Sequence, residues 1–338
     1  MTVQTSDYTN NAMNQINLNL EGRAPIALEL EDVTKCYGAF RAVDGVSFTL
    51  SIGGICGFLG PNGAGKTTTL RMILDILKPT SGRITVLGQP SALEVRRRLG
   101  YLPEEKGLYK KMKVWSVIAY FATLKGVPRK QAKQRARDLL DQYGLGEFAD
   151  KPTEALSKGM GQKVQLLATI AHEPELIILD EPFSGLDPVN QQVMEDMIRD
   201  LARRGCTILF STHVMAHAER LCDRILLLAR GRKIFDGTIE QAKRLMPRRV
   251  QLETGDAVGA LSGLQEVEAV RSILPTNGRP APNGTARWEV QLRPDAEPQA
   301  ILQQCFAQGI RLHSFQQCDP SLHDVFMQLV GSETREAA

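Results

Sequence analysis

No stretch of the 338-residue chain approaches the ~18 consecutive apolar residues that a membrane-spanning helix needs; the longest apolar runs are of strand length. Charge of neither sign dominates. Lys and Arg number 41 against 38 Asp and Glu, and a net +3 gives no bulk electrostatic reason to expect nucleic acid as a partner. Cys36, Cys56, Cys206, Cys222, Cys305 and Cys318 form no C-x-x-C pair and sit mostly inside apolar segments. Neither a zinc site nor a disulfide framework is indicated, and reduced core thiols in a cytosolic protein are expected. The amino end lacks both the basic and the apolar region of a signal peptide, and residues 1–24, rich in Asn, Thr and Gln, read as a flexible tail. Internal repeats are missing too. With 43% hydrophobic and 23% charged residues the composition is that of a globular protein, and the length suits two domains of ~100–200 residues each.

What is present is an alternation of strand and helix patterns. Residues 26–30 and 46–50 alternate apolar with polar side chains, the period of half-buried strands, and predict a small antiparallel patch. Continuous apolar runs at 55–59, 176–179, 207–210 and 225–228 read as strands buried on both faces. Helical stretches between them argue for a mostly parallel α/β core. A helix is expected over 69–77. Residues 104–158 are polar and helix-prone, with Val114, Val117, Ile118, Phe121 and Leu124 at helical spacing and Pro128 opening a second, basic helix. A composition break at Pro247 divides a domain over 25–246 from one over 247–331, followed by a tail over 332–338. The second domain reads strand 250–254, helix 257–264, strand 267–273, a Pro/Gly/Asn loop, strand 286–292, helix 298–308, strand 310–316 and helix 321–329. That order, βαββαβ plus a helix, predicts a ferredoxin-like α+β unit.

Gly60-Pro61-Asn62-Gly63-Ala64-Gly65-Lys66-Thr67-Thr68 contains the spacing G-x-x-x-x-G-K-[ST] between a buried strand and a helix. Glycines let successive backbone N–H groups converge on phosphate oxygens, and the helix adds its positive end. Lys66 reaches the β- and γ-phosphates, and the Thr67 hydroxyl joins the shell of a Mg²⁺ ion. Asp180 and Glu181 close the run 176–179, at the carboxyl end of a buried strand where doubly wound sheets hold ligands. Asp180 is expected to support Mg²⁺, and Glu181 to polarise a water as general base.

With these lie Leu156-Ser157-Lys158-Gly159-Met160-Gly161-Gln162-Lys163, Ser184-Gly185-Leu186-Asp187-Pro188 and Ser211-Thr212-His213. The ordered set, over about 26–246, strongly resembles the ATP-binding subunit of ABC transporters. The resemblance implies a P-loop α/β ATPase core with an antiparallel β patch and a helical subdomain over about 104–158. It implies ATP and Mg²⁺ as cofactors, Tyr37 as the aromatic stacked on adenine, and Ser157 and Gly159 as contacts to the γ-phosphate held by an opposite subunit. Asp187 matches the loop that crosses the dimer seam, and His213 the switch that senses the γ-phosphate; His172, His217, His313 and His323 are read as core or surface residues. Glu104 stands where a glutamine usually serves Mg²⁺ and the attacking water; it still accepts hydrogen bonds and binds a cation. Lys158 and Met160 depart from the usual Gly and Gln of the signature.

One phosphate loop and one signature per chain imply a head-to-tail dimer around two ATP, formed with a second copy or a homologous ATPase subunit. Transport, with export expected, needs integral membrane subunits, placing the chain on the cytoplasmic face of the membrane. The segment 108–124 with Tyr109, Trp115 and Tyr120 is the candidate docking surface. The last domain looks like that of drug- and sodium-extrusion ATPases and is expected to be regulatory or dimer-supporting. The alternative is an ATP-dependent regulatory clamp that transports nothing.

Overall fold

The computed structural model describes residues 25–105, 107–256, 261, 267–273, 286–293 and 296–336. The expected tail over 1–24, nearly all of the expected helix over 257–264, and the Pro/Gly/Asn loop lie outside the described residues. The chain divides into two compact units between Gly237 and Thr238, ahead of the composition break at Pro247.

The first unit runs β1 (Ile26–Tyr37), β2 (Phe40–Ser51), β3 (Ile55–Leu59), α1 (Lys66–Ile73), β4 (Ser81–Val86), β5 (Leu99–Leu102), α2 (Val114–Leu124) and α3 (Arg129–Gln142). It continues with α4 (Lys158–Ile170), β6 (Leu176–Asp180), α5 (Pro188–Arg203), β7 (Thr207–Thr212), α6 (Met215–Leu221), β8 (Arg224–Ala229) and β9 (Arg232–Gly237). A six-stranded sheet has the order β5-β6-β7-β3-β8-β9, parallel except for β9. Its central strands β3, β6 and β7 are buried at every position, which is why they read as unbroken apolar runs. Period-two alternation sends Ile177, Leu179, Ile208 and Phe210 to a cluster with α2, α4 and α5. Leu176, Ile178 and Leu209 enter the opposite cluster with Leu28, Val43, Phe48 and Leu70. The second sheet, β2-β1-β4, is the antiparallel patch, extended by a third strand.

Three details depart from expectation. Helix α1 begins at Lys66 rather than 69 and ends at Ile73 rather than 77, because Asp75 turns to φ 59 and the N–H groups of Ile76 and Leu77 both fold back to the Arg71 carbonyl. On α2 the buried stripe runs Val114, Ile118, Ala122, an i, i+4 series, so Leu124 falls past its edge and is 62% exposed. Trp115 does not share the exposed face of Tyr109 and Tyr120. Its Nε1 donates to Asp150, and Lys133 and Arg137 lie over its ring.

The second unit contains α7 (Ile239–Lys243), β10 (Arg249–Thr254), β11 (Val267–Ile273), β12 (Ala286–Leu292), α8 (Pro298–Ala307), β13 (Leu312–Cys318) and α9 (Leu322–Glu336). Its antiparallel sheet has the order β11-β12-β10-β13: the first and third strands are central and the second and fourth are edges, as in a split βαβ unit. Ile301 and Cys305 of α8 pack with Val250, Leu252, Val290 and Leu292. Helix α9 extends to Glu336, into the segment expected as a tail.

Candidate nucleotide site

The loop between β3 and α1 is built from backbone shapes that only glycine holds cheaply. Gly60 has φ 155 and Gly65 φ 96; a Cβ there would sit 2.4 Å from the Leu228 carbonyl oxygen and 2.6 Å from that of Ala42. Gly63, at φ 81, faces open space, with no atom within 4 Å of a built Cβ. Gly65 also caps α1, whose first-turn N–H groups lack intrahelical acceptors. Pro61, Asn62 and Ala64 complete the turn, and Thr68 lies in the first turn of α1. Lys66 is 6% exposed, and its Nζ donates to the Gly60 carbonyl at 2.8 Å and that of Pro61 at 3.2 Å. Burial lowers its pKa below the usual lysine value, against the opposing pull of Glu181 and Asp180.

Both acids arrive from β6. Asp180, 1% exposed, accepts from the Ser211 hydroxyl at 2.5 Å and lies 3.4 Å from the Thr67 hydroxyl. Glu181 is the first residue beyond the strand and has φ 48, a left-handed conformation rare for a side-chain-bearing residue. Its Oε1 lies 3.6 Å from Lys66 Nζ and 3.0 Å from His213 Nδ1. Ser211, at the end of β7, joins the two acids: its hydroxyl accepts from the Glu181 N–H at 3.1 Å while donating to Asp180. Sequence reasoning gave Ser211 no role, because its position beside Asp180 follows from the β6–β7 pairing, Asp180 opposite Ser211.

The fold brings Lys66, Thr67, Asp180, Glu181 and His213 into one hydrogen-bonded group. Glu104 is exposed, close enough to Lys66 to raise its pKa slightly. Tyr37 ends β1 and is 52% exposed, with Lys35 Nζ over its ring at 5.5 Å from the centre. Ser157, Gly159 and Asp187 form a second group. Ser157 caps α4 by accepting from the Met160 N–H, and Asp187 caps α5 by accepting from the Asn190 N–H. The Asn190 amide also donates to Asp187 Oδ2 at 2.6 Å, and a Cβ on Gly159 would lie 2.5–2.7 Å from it. Asn190 thus joins the signature to the seam loop, a link that no spacing announces. The hydrogen bond from the Asn190 backbone holds the Asp187 carboxyl below the usual carboxylate range.

The residues fit ATP and Mg²⁺. The loop at Gly63 offers an uncovered turn of backbone, Lys66 supplies a buried cation, and Thr67 with Asp180 is a hard-oxygen pair. Among the described residues no cluster of three or more His, Cys, Asp or Glu could hold a metal alone. Mg²⁺ binds through one or two protein oxygens plus phosphates, and Thr67 with Asp180 offers such a pair. No helix among the described residues is long and apolar enough to cross a membrane.

Residues 43–184 match the family model for ABC transporters, and residues 237–330 match that for the C-terminal domain of the DrrA1-3-like ATP-binding protein. The uncharacterized ABC transporter ATP-binding protein YhaQ of Bacillus subtilis (strain 168) is 37% identical over 90% of this chain and 99% of its own. The Nod factor export ATP-binding protein I of Sinorhizobium fredii is 34% identical over 93% and 89%. A solved ATP-binding subunit of an ABC transporter superposes with TM-score 0.60 at 32% identity, over 65% of this chain and 92% of that one. The chain therefore belongs to the ABC transporter family, as an ATP-binding, ATP-hydrolysing subunit that works with membrane partners to drive transport.

Proposed function

We propose that two copies of this chain close head to tail around two MgATP and power export through separate membrane subunits, from the cytoplasmic face. The observation that carries the dimer is the division of the site within one chain. Lys66, Asp180, Glu181 and His213 form one bonded group; Ser157, Gly159 and Asp187 form another through Asn190. A two-fold axis that sets the first group of one copy against the second group of the other completes both sites.

In this reading the backbone N–H groups of the loop 60–68, Pro61 having none, and the Lys66 ammonium hold the phosphates, and Tyr37 carries the adenine. Thr67, Asp180 and Glu104 hold Mg²⁺, which when bound neutralises charge on the phosphates and orients them. Glu181 Oε1 takes a proton from the attacking water, and His213 Nδ1, 3.0 Å away, holds that carboxylate in line. The α4 N-terminus, capped by Ser157, directs a second positive dipole at the opposite γ-phosphate.

The docking surface for the membrane subunit is the exposed set Tyr109, Tyr120 and Leu124, at 52%, 40% and 62% exposure, beside a groove of about 420 Å³ lined by Leu108, Phe121 and His172. Export is supported by the printed names of relatives such as the Nod factor export protein and the linearmycin resistance ATP-binding protein LnrL of Bacillus subtilis, 32% identical over 91% of this chain and 100% of its own. The test is co-purification of tagged Glu181→Gln protein with MgATP from detergent-solubilised native cells. A stoichiometric multi-span membrane protein, lost when Tyr109 and Tyr120 are changed to Ala, is the expected result. A bare homodimer or a soluble partner would remove the transport partner from this reading.

A further inference from the structure

Behind the site lies a buried ionic cluster that the chemistry above does not use. Glu195, on α5, is 1% exposed, and its carboxylate accepts from Arg220 Nε at 3.0 Å and Nη2 at 2.6 Å. His217 Nδ1, on α6, lies 3.2 Å from the same carboxylate. The His217 ring, 3% exposed, stacks on Phe183 with ring centres 4.2 Å apart and planes 20° from parallel. Phe183 in turn meets Phe210 of β7 edge-on at 5.8 Å.

A buried carboxylate among cations gains little net stability over apolar packing, because desolvation offsets the attraction; its best-attested use is to specify one arrangement. The arrangement specified here is that of two short segments. Phe183 lies two residues after Glu181, and His217 lies four residues after His213 on the segment that continues into α6. The stack and the Glu181–His213 contact are therefore two rungs between the same pair of segments, and Glu195 fastens the outer rung to α5. That helix opens at Asp187, so the same cluster also steadies the loop 184–187.

The geometry points to His217 and Glu195 as positioning residues that hold the switch segment 213–217 against the loop 181–187, so that His213 stays at bonding distance from Glu181. The inference rests on reading Glu181 as general base and His213 as its partner. Misplacing reacting groups by ~1 Å costs of order a hundredfold in rate, so a loosened clamp is expected to cost about tenfold in kcat without disturbing nucleotide binding.

The test uses the full chain and two readouts. In nucleotide-free protein labelled with ¹⁵N-histidine, His217→Ala moves the His213 Nδ1 resonance toward that of a solvent-exposed imidazole, whereas His217→Phe, which keeps a ring on Phe183 but loses the Glu195 contact, moves it less. With MgATP, His217→Ala lowers kcat about tenfold with the KM for ATP unchanged within about twofold, and His217→Phe recovers part of the loss. Should His217→Ala fail to fold, Glu195→Gln, which keeps the side chain's shape, is expected to shift the same resonance and lower kcat. A folded His217→Ala protein with wild-type resonance and kcat would overturn the clamp, as would equal losses in the Ala and Phe variants. Wild-type turnover in Glu181→Gln would instead overturn the general-base reading, leaving the nucleotide-free resonance to decide the clamp.

Discussion

Glu181 holds its left-handed φ of 48 at a cost of about 1–3 kcal/mol, and two hydrogen bonds fix it there: its N–H donates to both the hydroxyl and the carbonyl of Ser211, at 3.1 and 3.2 Å. That backbone conformation sets the carboxylate between Lys66 and His213, consistent with its proposed role as general base. Replacing Glu181 with Gln is expected to lower turnover by ~10²–10⁴-fold while ATP still binds, read from steady-state hydrolysis and nucleotide titration. Glu104→Gln is expected to change the Mg²⁺ concentration that half-saturates turnover; an unchanged Mg²⁺ profile and rate would take Glu104 out of the site. A pH effect belongs to His172, whose burial pushes its pKa down from 6.5 to about 4 while its Nε2 faces the Leu99 carbonyl at 2.9 Å. Between these values the unfolded chain binds more protons than the folded one, so stability rises with pH. The contribution is whole above pH 6.5 and is lost as pH falls toward 4, of order 3 kcal/mol in all. Urea unfolding of His172→Gln should show a shallower acid loss than wild type. That Lys66, Thr67, Asp180 and Glu181 would lie together could be read from spacing and position, because each lies at or beside the end of an element next to its motif. Ser211 and Asn190 could not, since each acts on a residue that only the folded chain brings near: Asp180 is opposite Ser211 across two strands, and Gly159 lies under the Asn190 amide.

At the scale of elements, legibility followed burial. Strands β3, β6 and β7 announced themselves because both faces are covered, and residues so placed are apolar without interruption. Strands β4, β5 and β9 did not. Strand β4 is mostly exposed, β5 spans four residues, and β9 is half-buried along most of its length, so none presents a clear period. The split-βαβ order of the second unit was legible from the succession of strands and helices, although nearly all of the helix expected over 257–264 lies outside the described residues. The phosphate loop is the least tolerant element. Gly65→Ala would place a methyl group 2.6 Å from the Ala42 carbonyl oxygen at a φ of 96, and is expected to abolish ATP binding measured by calorimetry. Helix α2, by contrast, is held by ordinary packing. Ile118 is fully buried among α2, α3 and α4, and Ile118→Ala is expected to cost about 2–5 kcal/mol in denaturant unfolding while sparing the phosphate loop.

For the whole molecule, the proposed head-to-tail dimer treats one chain as half of a catalytic device. A nucleotide that bonds to both copies favours the closed state by its differential contacts and loses them when the γ-phosphate leaves. If ATP joins two copies and Glu181 ends the joined state, the light-scattering mass of Glu181→Gln protein depends on nucleotide. One chain's mass is expected without nucleotide, twice that mass with MgATP, and a return to one chain when Ser157→Arg is added. A single-chain mass under all conditions, with ATP bound and turnover abolished, would contradict the joining of two copies by ATP.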